Sequence, residues 1–189
     1  MSHRELELQR LLDQSAIRDA LARYARGVDR CDWDLLRSAF HADASDNHGA
    51  YRGDVNGLVD WVSRRHSGIE QATHFLGNCL IEFADDNTAL VETYYAAFLR
   101  LGPRSGESRS MLLGKHAGGT HVDATVLGRY IDHFERRDGE WRIARRIGLY
   151  DAIRSEPVAD PTRDPVHEWG TRDPSDPLHA MRRQVFGNR

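Results

Sequence analysis

Three residues with acid–base side chains interrupt apolar surroundings: Tyr24, Asp29 and His74. Tyr24 and Asp29 lie in the segment ARYARGVDRCDWD, and His74 lies in QATHFLGNCLIEF. An imidazole can take up and return a proton near neutral pH, and a carboxylate bound to one ring nitrogen fixes which nitrogen is free. A phenol can donate a hydrogen bond to an oxygen that gains charge. If the three side chains converge, the sequence predicts a pocket that moves protons without a metal or a nucleotide.

Regular helix geometry argues against a shared face for Tyr24 and Asp29. Residues five apart on a helix differ by about 140° at about 3.6 residues per turn. We therefore expect them to share a face only if the helix frays near Gly27. The alternative roles are core packing for Tyr24, a helix cap for Asp29, and a backbone- or water-bound strand histidine for His74.

The first third of the chain is predicted to be mainly helical. Apolar residues in Glu5–Val28 recur at steps of three and four, which indicates one amphipathic helix or two with a break near Ser15. A short helix capped by Asp32 or Asp34 is predicted to run to Phe40, and another is predicted from a cap at Asp54 to about His66. The segment HADASDNHGAYRGD between them is rich in turn formers and predicts a short strand pair.

After Gly68 the apolar period changes from 3.6 to 2, which is typical of strands. Long strands are predicted at Gln71–Phe83, Ala89–Leu101, Asp123–Arg137 and Glu140–Tyr150. Residues 102–122 are predicted to be a long loop, and residues 156–189 an extended C-terminal tail on a domain formed by residues 1–155. Three helices followed by a curled antiparallel or mixed sheet predict an α+β fold, a cone-shaped barrel.

The interior of such a cone suits a small, largely hydrophobic ligand. Half of the aromatic residues that alternate along the strands should face this interior. The residues expected to line it are Trp61, Leu76, Tyr95 and Tyr130. The tail is expected to pack on the barrel or on a neighbouring subunit.

Composition argues against nucleic-acid and membrane partners. The net charge is −3 with both signs interspersed, and no basic stripe is present. No apolar run approaches the roughly 20 residues that a membrane span needs. The N-terminal segment lacks the apolar core of a secretion signal, so we expect a cytoplasmic setting.

Metal and cofactor motifs are not evident in the sequence. Cys31 and Cys79 are too few and too far apart for a disulfide framework or a zinc site. His41 and His48 flank several acidic residues, and more histidines occur within residues 116–133, but neither group has close metal-ligand spacing. Phosphate-binding glycine motifs are also absent from the sequence. We therefore expect no metal and no cofactor.

Three segments, in order, resemble one known family. AIRDALARYARGVDRCDWD, THFLGN and GRYIDHFERRDGEWRIARRIG are similar to the SnoaL-like branch of the nuclear transport factor 2-like superfamily, over about Glu5 to Tyr150. That branch includes scytalone dehydratase, the bile-acid 7α-dehydratase and hexachlorocyclohexane dehydrochlorinase. The superfamily also contains isomerases, cyclases and non-catalytic subunits, so the fold alone does not determine the chemistry.

The resemblance implies roles for the three acid–base residues. It matches Asp29 and His74 to a carboxylate–imidazole pair in which the imidazole removes a substrate proton. It matches Tyr24 to a tyrosine that acts on the departing or carbonyl oxygen. From the residue types alone, the structural roles given above for these three residues are the more common ones.

The resemblance also matches Arg146 to a pocket arginine of the family. A guanidinium there could bind a carboxylate, a phenolate or a leaving group. Strand alternation places Arg142 and Arg146 on the face opposite Arg145, which leaves Arg145 as the alternative pocket residue. At least two of the three should be solvated.

We therefore expect a cofactor-independent lyase of the dehydratase type, or an isomerase, acting on a small hydrophobic molecule that contains a ring. One alternative is a ligand-binding or assembly protein, such as the β subunit of a ring-hydroxylating dioxygenase. Another is a polyketide cyclase or a ketosteroid-isomerase-like enzyme with Asp29 as the base. Because the outer face of a curved sheet is usually covered, a homodimer or homotrimer is expected.

Overall fold

The computed structural model describes residues 2–103, 112 and 119–187.

The first helix is continuous. Helix α1 spans His3–Arg30 without the break considered near Ser15. The Ser2 side chain caps its start in a capping box, and Cys31 ends it in the left-handed conformation.

Gly27 does not mark a frayed end, because α1 continues to Arg30. A Cβ atom at Gly27 would lie 2.6 Å from the backbone nitrogen of Leu36. The missing side chain therefore allows the following helix, α2 (Trp33–Arg37), to pack closely against α1.

Two more helices follow in the described part of the chain: α3 at Val55–His66 and α4 at Pro177–Phe186. Asp54 caps α3 by accepting a hydrogen bond from the backbone of Gly57. The sequence prediction missed α4, although Asp176 followed by Pro177 is a helix-start pattern. None of the helices within these residues has both the length and the apolar character that crossing a membrane would require.

A six-stranded mixed sheet forms the second layer. Its strands are β1 (Phe40–Asn47), β2 (Arg52–Asp54), β3 (Ile69–Phe83), β4 (Thr88–Leu101), β5 (Val122–Arg137) and β6 (Glu140–Pro157). Their order is β2-β1-β6-β5-β4-β3, and only β1 and β6 run parallel. The predicted α+β class is confirmed, and among the described residues the sheet is open, with edges at β2 and β3.

The core lies between the inner face of the sheet and the first three helices. Buried and exposed residues alternate along β4 and β5. Ile17 and Leu21 of α1 and Leu58 of α3 are buried against the inner face. This packing places the C-terminal part of α1 across the concave side of the sheet, where α1 contacts both β3 and β6.

A bulge in β6 corrects the prediction for its arginines. Phe134 pairs with Ile143 but the preceding His133 pairs with Arg145, so β6 has one extra residue here. The extra residue shifts the alternation, and Arg146 is buried on the same face as Ile143 while Arg142 lies on the other face. Simple alternation had placed Arg142 and Arg146 together.

The C-terminal segment is only partly extended. Strand β6 continues beyond Tyr150 to Pro157, so the predicted boundary after residue 155 falls within a strand. Residues 158–176 then lead irregularly to α4. Of the predicted loop at 102–122, residues 104–111 and 113–118 lie outside the described residues.

Candidate active site

Asp29 holds His74 at two points. Asp29 Oδ1 lies 2.6 Å from Nδ1 of the His74 ring, and Oδ2 accepts a hydrogen bond from the His74 backbone N–H at 2.8 Å. The side chain of Asp29 is only 12% exposed and that of His74 only 9%. The last turn of α1 thus fixes the imidazole relative to its own strand, β3.

This contact determines which ring nitrogen of His74 is basic. An ionised carboxylate can only accept hydrogen bonds, so Nδ1 of neutral His74 carries the hydrogen and Nε2 keeps a lone pair. No residue in the described part of the chain forms a hydrogen bond with Nε2. His74 lines a cavity, and its ring is held with the lone pair on Nε2.

Tyr24 uses a different face of α1 from Asp29. Its ring packs edge-on against Phe40 and Tyr130, with centroids 5.9 and 5.5 Å away. The two residues need not share a face, since Tyr24 packs against side chains of β1 and β5 whereas Asp29 binds His74 of β3. The angle of about 140° between Tyr24 and Asp29 around the helix axis therefore does not keep either residue from the site, and the helix need not fray.

Tyr24 belongs to a second buried acid–base chain. Its hydroxyl lies 3.3 Å from His48 Nε2, and His48 Nδ1 lies 2.5 Å from Asp46 Oδ1. Because Asp46 accepts from Nδ1, Tyr24 is the donor to Nε2. Burial raises the pKa of Tyr24 above its ordinary value despite the nearby Arg146 charge, so the phenol stays protonated at neutral pH.

Sequence reasoning missed the Asp46–His48 pair as part of this site. The two residues had been considered only within a group with poor metal-ligand spacing. Residues two apart on a strand point to the same face. That spacing was the signal that could have identified the pair, in which Asp46 lies near the end of β1 and His48 directly follows the strand.

Arg146 is buried behind the cavity rather than in its wall. Its Nε and Nη2 atoms each donate to Asp132 at 2.7 Å, and both side chains are 0% exposed. The guanidinium carbon lies 4.1 Å from the ring centroids of both Tyr24 and Tyr130. Burial alone would lower the pKa of Arg146, but Asp132 outweighs it and raises that pKa.

These contacts hold Arg146 between two tyrosine rings and a carboxylate. Its Nη1 atom is buried without a hydrogen-bond partner among the described residues. Arg145, the alternative, is exposed on the other face. Neither arginine lines the cavity, so the predicted pocket arginine is not found there.

The cavity lies between α1, α3 and the inner face of the sheet. Five predicted residues line it: Tyr24, Trp61, His74, Tyr95 and Tyr130. Leu76 does not, and packs instead against the apolar core. The cavity volume is about 40 Å³, enough for a few water molecules and too small for a ring.

The prediction overlooked several polar residues of the cavity wall: His48, Arg65, His66 and Tyr150. His66 ends α3 and is buried. Burial, reinforced by the charge of Arg172, holds its pKa well below the ordinary value. It was read only as a helix end, and no pattern in its neighbours indicated a site.

Metal ligands do not cluster within the residues that the structure describes. No group of three or more His, Cys, Asp or Glu side chains there could hold an ion. His41 is instead within 2.9 Å of the backbone oxygen of Glu135 through Nε2. The contacts of His74 with Asp29 and of His48 with Asp46 and Tyr24 place groups that can transfer protons and form hydrogen bonds.

Comparison with known proteins gives one family and a set of similar folds. Residues 9–147 match the SnoaL-like domain family. No curated protein matches the chain in sequence. The structural neighbours include a type 2 hexachlorocyclohexane dehydrochlorinase, LinA, with a TM-score of 0.66 and 20% identity over 84% of this chain and 97% of that chain.

Two further neighbours show the same fold. The LinA-type3 dehydrochlorinase from Novosphingobium barchaimii LL02 has a TM-score of 0.66 and 21% identity over 84% of this chain and 99% of that chain. A protein assigned as a scytalone dehydratase from Novosphingobium aromaticivorans has a TM-score of 0.62 and 16% identity over 85% of this chain and 97% of that chain. At these identities the likeness concerns the fold.

Proposed function

Because the chain belongs to the SnoaL-like family and its cavity presents a free basic nitrogen, we propose that it is a cofactor-independent lyase or isomerase. Its substrate is a small hydrophobic molecule that contains a ring, and dehydration is the reaction we favour. The observation that carries the proposal is the two-point contact of Asp29 with His74. It leaves Nε2 basic and supports the imidazolium that forms when Nε2 takes a proton.

In the proposed reaction His74 Nε2 takes a proton from a carbon next to a carbonyl group. The C–H electron pair forms the new double bond, and the carbon–oxygen bond to a leaving hydroxyl breaks. The imidazolium of His74 gives its proton to that hydroxyl, which leaves as water. The proton count closes without a cofactor, and Asp29 stabilises the charged intermediate state of the ring.

Tyr24 acts as a hydrogen-bond donor rather than as a proton source. Its raised pKa keeps the phenol protonated. Its single O–H donates to His48 Nε2 in the free protein and turns to the departing oxygen of the substrate when the substrate binds. A donor placed near an oxygen that gains charge stabilises the transition state, typically by about 3 kcal/mol. Tyr24 and His74 both line the cavity, which supports this division of roles.

The names of the structural neighbours are consistent with an elimination. One group is named for removing hydrogen chloride from hexachlorocyclohexane and another for removing water from scytalone. Both reactions pair proton removal with loss of a leaving group from a ring. We propose the same reaction class for this chain, with the substrate still to be identified.

Substrate entry requires the cavity wall to open. The cavity volume of about 40 Å³ is several-fold below the roughly 300 Å³ at the lower end of ligand pockets. Trp61 and Tyr150 line the cavity but are only half-buried, so their outward rotation would enlarge it. We propose that a substrate ring occupies the space that these two side chains leave.

The proposal can be tested with ring hydroxy ketones, ring enones and chlorinated cyclohexanes. Products of water loss, double-bond shift or chloride loss are followed by mass spectrometry. The wild type is expected to convert at least one class, and the matched variant His74→Asn to lose that conversion. An asparagine amide can still donate to Asp29 from about the position of Nδ1, but it lacks Nε2.

The outcome that would contradict the proposal is equal turnover by the wild type and His74→Asn. If Asp29→Asn abolishes turnover and His74→Asn keeps most of it, the carboxylate is the base. That result would favour the cyclase or ketosteroid-isomerase type of enzyme. A variant of an exposed arginine, Arg145→Gln, controls for changes that are unrelated to the site.

We also propose that the chain self-associates through the outer face of the sheet. Phe75 and Phe98 are 67% and 50% exposed there, and Leu127 is 43% exposed. Contiguous exposed apolar side chains of this kind are typical of an interface. Light scattering should show a dimer or trimer that dissociates in Phe75→Lys with Phe98→Lys, whereas a monomeric wild type would contradict the proposal.

A further inference from the structure

The C-terminal segment inserts one arginine beside the candidate site. Arg172 lies in the irregular stretch before α4, and its guanidinium is largely buried. It bridges the ends of two helices, because it donates to the backbone oxygens of Val28 and Asp29 in α1 and of His66 in α3. A cation at these helix ends interacts favourably with their free carbonyl groups.

All N–H groups of Arg172 have acceptors. Nε–H donates to the backbone oxygen of Asp29 at 2.9 Å. Nη1 donates to the backbone oxygens of His66 and Ile69 at 3.2 and 2.8 Å. Nη2 donates to the Val28 oxygen at 2.8 Å and lies 3.0 Å from His66 Nδ1. Arginine has five N–H donors in a rigid plane, so the site is matched to arginine.

The contact with His66 determines the tautomer of that ring. A guanidinium has no acceptor, so His66 Nδ1 must offer its lone pair and cannot carry a hydrogen. The single ring hydrogen of His66 is therefore on Nε2. Protonation of Nδ1 would bring a second donor against Arg172 in a buried place, so the ring stays neutral.

His66 and His74 consequently have opposite tautomers on one cavity. Asp29 leaves a lone pair on Nε2 of His74, whereas Arg172 leaves a hydrogen on Nε2 of His66. Both residues line the cavity. One imidazole can accept a proton there and the other can donate a hydrogen bond.

We propose that Arg172 fixes His66 as a neutral hydrogen-bond donor to the carbonyl oxygen of a ring ketone substrate. This inference rests on the proposed function and adds a catalytic residue, His66, and a positioning residue, Arg172. While His74 removes the neighbouring proton, negative charge grows on the carbonyl oxygen and the Nε2–H of His66 stabilises it. A neutral donor suits this role because it keeps its hydrogen throughout the reaction.

The tautomer can be measured without any substrate. Full-length protein labelled with ¹⁵N-histidine is compared with Arg172→Gln and with the exposed-arginine control Arg182→Gln. In the wild type and in the control, His66 should show protonated Nε2 and unprotonated Nδ1 from about pH 6 to 8. In Arg172→Gln the ring should become a mixture of tautomers; a hydrogen on Nδ1 in the wild type, or no change in Arg172→Gln, overturns the assignment.

The donor role is tested with two substitutions of His66. In His66→Gln the amide nitrogen lies near the position of Nε2 and can still donate, while in His66→Asn the amide oxygen lies near Nδ1 and can still accept from Arg172. The probe is cyclohexanone labelled with ¹³C at the carbonyl, whose bound stretching frequency falls when a donor contacts the oxygen. The wild type and His66→Gln should lower that frequency, and His66→Asn should not.

Turnover on any ring ketone that the wild type converts should follow the same order. His66→Asn is expected to reduce kcat about 100-fold with little change in KM, and His66→Gln by less than about tenfold. A frequency shift that survives in His66→Asn, or no shift in the wild type, overturns the donor role. Because the tautomer and the carbonyl frequency do not depend on turnover, they can fail or succeed separately from the proposed lyase or isomerase activity.

Discussion

His74 and Arg146 are both basic side chains held by an aspartate beside the same tyrosine layer, yet their surroundings differ. Arg146 donates twice to Asp132, stacks between Tyr24 and Tyr130, and is 0% exposed. His74 is also held by its carboxylate, but one ring nitrogen has no hydrogen-bond partner within the described residues and the ring lines the cavity.

The difference distinguishes a charged side chain that stabilises the fold from one that is free to react. A buried ion pair whose partners face each other contributes mainly to the fold, and breaking it leaves an uncompensated charge. A base needs one site that its neighbours leave open and a partner that stabilises its charged form. By these criteria we propose that His74 is the reactive group and that Arg146 organises the tyrosines around it.

The largest effect is expected from His74→Asn. Loss of the basic nitrogen should reduce turnover by about 10²- to 10⁴-fold, the usual contribution of a general base. The donor to Asp29 is kept, so the unfolding temperature should stay close to that of the wild type. Steady-state kinetics and thermal unfolding on the same sample check both parts, and a large loss of stability with unchanged turnover would reverse the assignment.

Arg146→Met should show the opposite pattern. Removing one partner of the buried pair leaves Asp132 charged and unpaired, which should lower the free energy of unfolding by about 3–5 kcal/mol. Adding Asp132→Leu should recover much of that loss, and Arg145→Met on the exposed face should change it by less than about 0.5 kcal/mol. Urea unfolding measures these differences; a stable Arg146→Met protein without turnover would make Arg146 a site residue.

The pH dependence of stability should identify His66 as the buried neutral ring. Its folded pKa is held below the ordinary value of 6.5 by burial and by the charges of Arg172 and Arg65, with smaller contributions from His74 and His48. Below about pH 6.5 the unfolded chain binds the extra proton, so stability from this group is complete above that pH and falls as the pH decreases.

The expected loss from His66 is up to about 1.4 kcal/mol for each pH unit below 6.5, until the folded ring itself protonates. Unfolding in urea at about pH 7.5 and 5.5 should therefore show a smaller decrease for His66→Gln than for the wild type. Identical decreases in the two proteins would mean that His66 is charged in the folded state.

Tyr24→Phe touches both regions and should change stability less than Arg146→Met does. The ring remains stacked on Arg146, but His48 Nε2 loses its buried donor. Stability should fall by about 1–2 kcal/mol, the range for one unsatisfied buried group. Turnover should fall more than stability alone explains; if stability falls and turnover per folded molecule does not, the hydroxyl of Tyr24 is only structural.

The order of elements was readable from the sequence because apolar periodicity reports which face is buried. The change from period 3.6 to 2 after Gly68 placed the first three helices before β3, and the predicted lengths of β3, β4 and β5 were close to those observed. The bulge in β6 was not readable, since one extra residue leaves no compositional mark. That residue alone reversed the face of Arg146 relative to Arg142.

Part of the candidate site could be predicted from the sequence. Family resemblance indicated Asp29 and His74, and the structure places them 2.6 Å apart through Oδ1 and Nδ1. His66 could not be recognised, because its tautomer depends on Arg172, which is 106 residues away in sequence. The catalytic roles of Asp29, His74 and His66 stay predictions until turnover is measured.

The central claim is that Asp29 acts only through His74, and a double-mutant cycle on turnover tests it most directly. In Asp29→Asn the amide can donate to Nδ1 while its oxygen accepts the His74 backbone N–H, which moves the ring hydrogen to Nε2 and blocks the base. The account predicts that Asp29→Asn with His74→Asn loses no more turnover than His74→Asn alone. Losses that multiply in the double variant, or a larger loss in Asp29→Asn than in His74→Asn, would contradict it.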